Sequence, residues 1–129
     1  MDKLTLFNYG KYIREALMAH PKLQAKLKSS FFPVIVPEGT KTPFVVYAKQ
    51  SGFYDYNKDA CTMGHLQVLI SPVGTSFDTV EELAGWIDEA MDQHFNKGLS
   101  RPRLVSSLTA YDDDQELWYS ELVYQVECM

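Results

Sequence analysis

The sequence is short of almost everything that bond-making chemistry requires. Its 129 residues include two cysteines and three histidines, and Cys61, Cys128, His20, His65 and His94 stand apart along the chain. A structural metal site wants two close pairs of such ligands. His65 is four residues from Cys61, but no second pair completes a tetrahedral set. Both cysteines are read as thiols, because a chain of this length can build a core without a disulfide staple. The seven glycines are dispersed, and neither a G-x-x-x-x-G-K-[ST] string nor a G-x-G-x-x-G string occurs, so no phosphate-cradling loop is encoded. A G-x-S-x-G elbow, one sequence mark of a serine nucleophile, is missing too. No metal or cofactor is expected, and no catalytic residues stand out.

Long apolar runs are also missing: no window approaches the ~18 residues of a membrane-spanning helix. The stretch Met1-Asp2-Lys3-Leu4-Thr5-Leu6-Phe7 lacks the apolar segment and small-residue cleavage site of a secretory signal, so the chain is expected to be made and kept inside a cell. Basic residues are outnumbered twelve to seventeen, giving a net charge of −5. Nonspecific nucleic-acid binding needs clustered Lys and Arg, so this balance opposes it.

What is present is a foldable pattern. Hydrophobic residues make up 46% of the chain and charged residues 22%, a balance that excludes a disordered polymer. Area scaling gives roughly 21,000 Å² exposed when unfolded and roughly 7,000 Å² when folded, enough burial for one core. Residues 1–129 are therefore read as one domain.

Helical spacing of Tyr9, Tyr12, Ile13, Ala16 and Leu17 predicts a helix from Tyr9 to Ala19, with Asn8 as its cap and Pro21 as its end. Leu23 and Leu27 suggest a further turn or two. Phe31 to Pro37 is rich in strand formers but carries two prolines, which confines it to a short edge strand. Phe44 to Gln50 reads as a central strand. It opens a long hairpin that turns near Asn57 and returns through Leu66, Val68 and Ile70, with Pro72 to Ser76 as the connection that follows. The strongest helix has Val80, Leu83, Ala84, Ile87, Ala90, Met91 and His94 on one face, Asp78 and Glu81 as its expected capping box, and Asn96-Lys97-Gly98 as its stop. Two strands close the chain, Arg103 to Tyr111 and Leu117 to Cys128. In the second, the even positions Trp118, Leu122, Tyr124 and Val126 are expected to face inward. Together these predict an α+β fold: an antiparallel sheet of four to five strands, an N-terminal helix and a long helix packed on one face, and a projecting β-hairpin.

Two segments invite a functional reading. Asp112-Asp113-Asp114 could attract a hard cation. Consecutive turn residues aim their side chains apart, however, and aspartates bonded to their own backbone are the simpler account. The hairpin tip carries Phe53, Tyr54, Tyr56, Asn57 and Lys58. Such rings can stack on bases, pack on their own domain or meet another subunit. Without a basic groove the nucleic-acid use lacks its electrostatic half, and a protein interface is the favoured role.

The order of segments carries a resemblance. A leading Ile13-Arg14-Glu15-Ala16-Leu17 helix precedes Phe32-Pro33 and Val36-Pro37-Glu38-Gly39; then come Thr42-Pro43-Phe44-Val45-Val46-Tyr47, a long hairpin, an acidic helix and two strands. Leu66-Gln67-Val68-Leu69-Ile70-Ser71 stands before that helix as a central strand. The chain resembles the small tailed-phage and prophage tail-completion or tail-terminator proteins, and the Pro-aromatic-Val-Val-Tyr string is the most specific piece. The resemblance implies a non-enzymatic tail assembly protein that self-associates as a ring, with six copies as the candidate number. It further implies contact with tail-tube and head-tail connector proteins, in the virion tail and in the host cytoplasm during assembly. It supplies no catalytic residues. The competing expectation is a small intracellular enzyme or ligand-binding α+β domain, tested by substituting Cys61, His65 and His94.

Overall fold

The computed structural model describes residues 5–56, 61–94 and 102–128. The expected Asn57-Lys58 turn and the Asn96-Lys97-Gly98 stop lie outside the described residues, as do the side chains of Cys61, His94 and Cys128. The elements are α1 (Tyr9–Ala19), α2 (Pro21–Leu27), β1 (Phe31–Pro33), β2 (Phe44–Tyr56), β3 (Cys61–Gly74), α3 (Phe77–His94), β4 (Arg103–Asp112) and β5 (Leu117–Cys128). The strands form one sheet in the order β1-β2-β3-β5-β4. Every pairing is antiparallel except β1 with β2. The fold is α+β, as the periodicities require.

The core lies between the helices and one face of the sheet. Tyr12, Ile13, Ala16 and Leu17 of α1, Leu23 and Leu27 of α2, and Leu83, Ile87, Ala90 and Met91 of α3 meet Val45, Tyr47, Leu66, Val68, Ile70, Leu122, Tyr124 and Val126. Burying each large aliphatic or aromatic side chain contributes about 1.5–3 kcal/mol. Of the even positions of β5, Leu122, Tyr124 and Val126 face inward as expected and Ser120 is buried with them, whereas Trp118 is only half-buried and stands outside the core, against Phe77 and Tyr111. Val123 on the opposite face is buried as well, because its register places it in mid-sheet between Leu69 of β3 and Ser106 of β4.

Helix α1 has the expected bounds, but the local chemistry at three helix ends differs from the expectation. Asn8 occupies the N-cap position of α1 but does not cap it; its Oδ1 accepts from the Thr5 N–H at 2.6 Å, fastening the preceding turn instead. Pro21 does more than end α1: it is the first residue of α2, where its missing N–H is no loss. Asp78 does not cap α3 either. Ser76 stands one residue before the helix and its Oγ accepts from the Thr79 N–H at 3.2 Å, leaving Asp78 inside the first turn against the positive end of the dipole. Glu81, released from any capping box, accepts a hydrogen bond from the Thr109 hydroxyl on β4.

Strand β3 also runs further than expected, through Pro72 to Gly74. Pro72 holds its place opposite Val45 of β2, while the ladder to β5 passes from Ile70 to Val73 without a partner for Ser71 or Pro72. The proline is tolerated where a missing amide donor interrupts one ladder only. At the other end of the hairpin, β1 stops opposite Tyr47 and β5 ends opposite Gly64. Asp55 and Tyr56 therefore pair only with Met63 and Cys61 among the described residues, and this part of the hairpin projects.

Candidate assembly surfaces

The helices cover one face of the sheet, which leaves the chemistry of the other face and of the two edges. At the hairpin, Phe53 is 57% exposed and Tyr56 is 73% exposed. Tyr54 differs: it is half-buried and packs against the core, with its ring edge-on to Tyr56 at 6.3 Å between centroids. Phe53 stacks on the His65 ring at 4.7 Å, and His65 Nε2 lies 2.6 Å from Asp55 Oδ2. Pairing alternation puts Phe53, Asp55 and His65 on the face away from the helices. His65 is thus a pillar under an exposed ring. Of the five tip residues picked out from sequence, Phe53, Tyr54 and Tyr56 lie together, while Asn57 and Lys58 fall outside the described residues.

Sequence reading missed a larger surface. Strand β4 is exposed from Arg103 to Leu108 on both of its faces, and Leu104, Val105, Leu108 and Tyr111 are large hydrophobics left in solvent. It is fixed to the domain by Ser120, whose buried hydroxyl donates to the Leu108 carbonyl at 2.8 Å, and by the Thr109 bond to Glu81. Its outer edge pairs with no described strand. The only sequence signal is a weak one: Leu104 and Val105 are adjacent and Ser106 and Ser107 follow, which breaks the alternation of a strand with one covered face but does not show that no helix lies over it. A third surface lies at the end of the sheet opposite the hairpin tip, where Trp118 contacts Phe77 at 5.5 Å and Tyr111 at 5.1 Å between ring centroids. Phe77 and Tyr111 are both well exposed.

The two sheet edges are chemically unlike. In β1 the Phe31 N–H donates to the Ser29 carbonyl, and the Phe31 carbonyl accepts from Arg14 Nη1 at 3.0 Å. Pro33 has no N–H to offer, and its carbonyl accepts from the Ile35 N–H at 2.6 Å. That edge is closed to a further strand, a recurrent protection of exposed sheet margins. Among the described residues the edge of β4 has no such closure.

A cleft of about 640 Å³ lies where the Val36–Thr42 loop folds over the uncovered face, lined by Pro37, Phe44, Val73, Tyr119, Glu38 and Asp112 among others. Among the described residues no histidine, cysteine, lysine or arginine lines it. Asp112 Oδ1 accepts from the Asp114 and Gln115 N–H groups at 3.0 and 3.3 Å, so this aspartate is used by its own turn. Among the described residues no group of three or more His, Cys, Asp or Glu is placed to hold a metal ion. No helix among them is long and apolar enough to cross a membrane.

These features define a helix-on-sheet α+β protein whose conspicuous chemistry is exposed apolar surface. No known family profile matches the chain, and no curated protein sequence matches it. Its fold is similar to that of a chain in a solved structure described as "Virion of native gene transfer agent (GTA) particle", with a TM-score of 0.74 at 15% identity over 89% of this chain and 90% of that one. At that identity the likeness is one of fold.

Proposed function

We propose that this chain is a structural assembly protein of a tailed phage, prophage or related particle. Residues 1–129 act as one tail-completion-like domain that self-associates as a ring, with six copies as the candidate number. The ring terminates the tail tube or joins tail to head, and its partners are tail-tube and head-tail connector proteins. The observation that carries this reading is the shared fold, over nine-tenths of both chains, with a component of a phage-like virion. Supporting it, the exposed apolar groups fall on different surfaces: the hairpin tip, β4 and the Phe77-Trp118-Tyr111 cluster. A ring needs such heterologous contacts, in which one surface of a subunit meets another surface of the next.

Phe53, Tyr54, Tyr56, Asn57 and Lys58 serve as protein-interface residues in this reading, and no residue has a catalytic role. The protein resides in the virion tail, and in the host cytoplasm while tails are built. The net charge of −5 suits a part that meets DNA without gripping it. The test is imaging of tails made with and without the protein. Blunt, capped tubes are expected when it is present, and open tubes of uncontrolled length when it is absent. Identical tubes in the two preparations would refute the role.

A further inference from the structure

Resting on the ring reading, we infer that neighbouring copies join by antiparallel strand addition, the open edge of β4 in one copy pairing with the distal part of β2, Ser51 to Tyr56, in the next. The occupant of the β4 edge is a second copy of this chain. Four observations converge on it.

First, the junction uses the margins left open. The β1 margin is closed by Arg14, Ser29, Pro33 and Ile35, so a neighbour's β4 cannot continue the sheet there. Beyond Tyr47, however, β1 no longer shields β2, and the Lys49 N–H is taken by the Tyr9 hydroxyl at 3.1 Å. From Ser51 onward the outer margin of β2 pairs with no described strand.

Second, the direction is right. Within one copy β2 and β4 run antiparallel, since each step from β2 through β3 and β5 to β4 reverses direction. Rotation about an axis along the sheet preserves that relation between β4 and the neighbour's β2.

Third, the stagger fits a closed ring. Arg103 is level with Gln125, Gln67 and Ser51 across the sheet. Advancing the neighbour by four residues brings Asp55 opposite Arg103 and Tyr54 opposite Leu104. Four residues at ~3.4 Å each is a rise of ~14 Å across four strands spanning ~19 Å, a tilt of about 35°, at the lower bound of the ~35–45° of closed sheets. The same advance carries the neighbour's short β1 toward the far end of β4.

Fourth, the pairs match in chemistry and in face. Arg103 and Asp55 both lie on the uncovered face and are opposite in charge, and Leu104 and Tyr54 both lie on the helix side. Directly opposed unlike charges and aromatic-aliphatic pairs are favourable cross-strand neighbours.

The test uses the full chain. Arg103→Glu and Asp55→Lys should each reduce the assembled species to single copies at micromolar concentration, and the doubly swapped protein should assemble again; circular dichroism checks that each variant is folded. Independently, Arg103→Cys with Asp55→Cys, in a background of Cys61→Ser and Cys128→Ser, should give a ladder of covalently linked copies on oxidation, as opposed strand positions allow. Assembly that ignores both the charge swaps and the cysteine pair overturns the junction while the ring reading stands. A species that stops at two copies points to β4 pairing with β4 and overturns it as well. If the unmodified protein never assembles, the ring reading and the junction fall together.

Discussion

Arg14 Nη1 donates to the Phe31 carbonyl across 3.0 Å, tying helix α1 to the outermost strand and closing that margin of the sheet. A half-buried hydrogen bond from a charged donor contributes about 1.5–3 kcal/mol, less what solvent restores. Arg14→Ala should therefore lower unfolding stability by about 1–2 kcal/mol. Urea denaturation measures the loss, and Arg14→Lys, which keeps the charge but not the planar fork, should recover only part of it.

His20 joins three helices at a corner. The Leu23 N–H donates to its Nδ1 at 3.5 Å and its Nε2–H donates to Glu89 at 2.9 Å, so the two contacts together select the Nε2–H tautomer. Glu89 is more than half exposed and adds little; the cap and the buried ring account for most of the effect. His20→Ala should cost about 1–2 kcal/mol, and His20→Asn, which restores a capping oxygen, should cost less. Thermal unfolding of the two variants side by side gives the comparison.

Tyr124 reaches from the core to Asp88, donating to Oδ1 at 2.7 Å. Burial, and then the hydrogen bond and charge of Asp88, push its phenol well above the ordinary tyrosine range. With the folded pKa raised, the unfolded chain releases this proton first as pH climbs. Stability held in full below about pH 10 should then fall by about 1.4 kcal/mol per pH unit above it. Tyr124→Phe should flatten that alkaline slope, at the cost of about 1 kcal/mol near neutrality for the lost bond. Urea titrations at a series of alkaline pH values test both parts.

Tyr12 is buried in α1, and its hydroxyl has no hydrogen-bond partner among the described residues. A buried, unsatisfied hydroxyl costs about 1–3 kcal/mol. Tyr12→Phe keeps the ring and should raise stability by about 1 kcal/mol, read as an upward shift of the urea midpoint with an unchanged slope.

Much of this fold was legible because periodicity and proline report directly on packing. The stripe of Val80, Leu83, Ile87, Ala90 and Met91 and the inward Leu122, Tyr124 and Val126 of β5 follow from which positions face the core, and the prolines after Phe31 confine β1 to a margin. Caps were less legible, since Ser76, Asp78 and Asn8 all carry capping chemistry and only the path of the chain decides which oxygen meets an N–H. Pro72 inside β3 was hidden for a similar reason: its tolerance depends on which ladder lacks a donor. The candidate surfaces divide in the same way. Phe53 and Tyr56 announced themselves as aromatics in a polar tip. The exposed β4 did not, because Leu104, Val105 and Leu108 read as ordinary strand residues until the fold shows that no helix lies over them. The meeting of Phe77, Tyr111 and Trp118 joins positions far apart in sequence, and pattern reading has no access to it.

In the proposed role this protein works through shape and self-association. The most direct test is the mass of the purified protein in solution, by light scattering across a wide range of concentration, alone and with tail-tube protein. One defined species of more than two copies is expected, formed alone or on tube ends. A strict monomer at every concentration that leaves tubes unbound would contradict it.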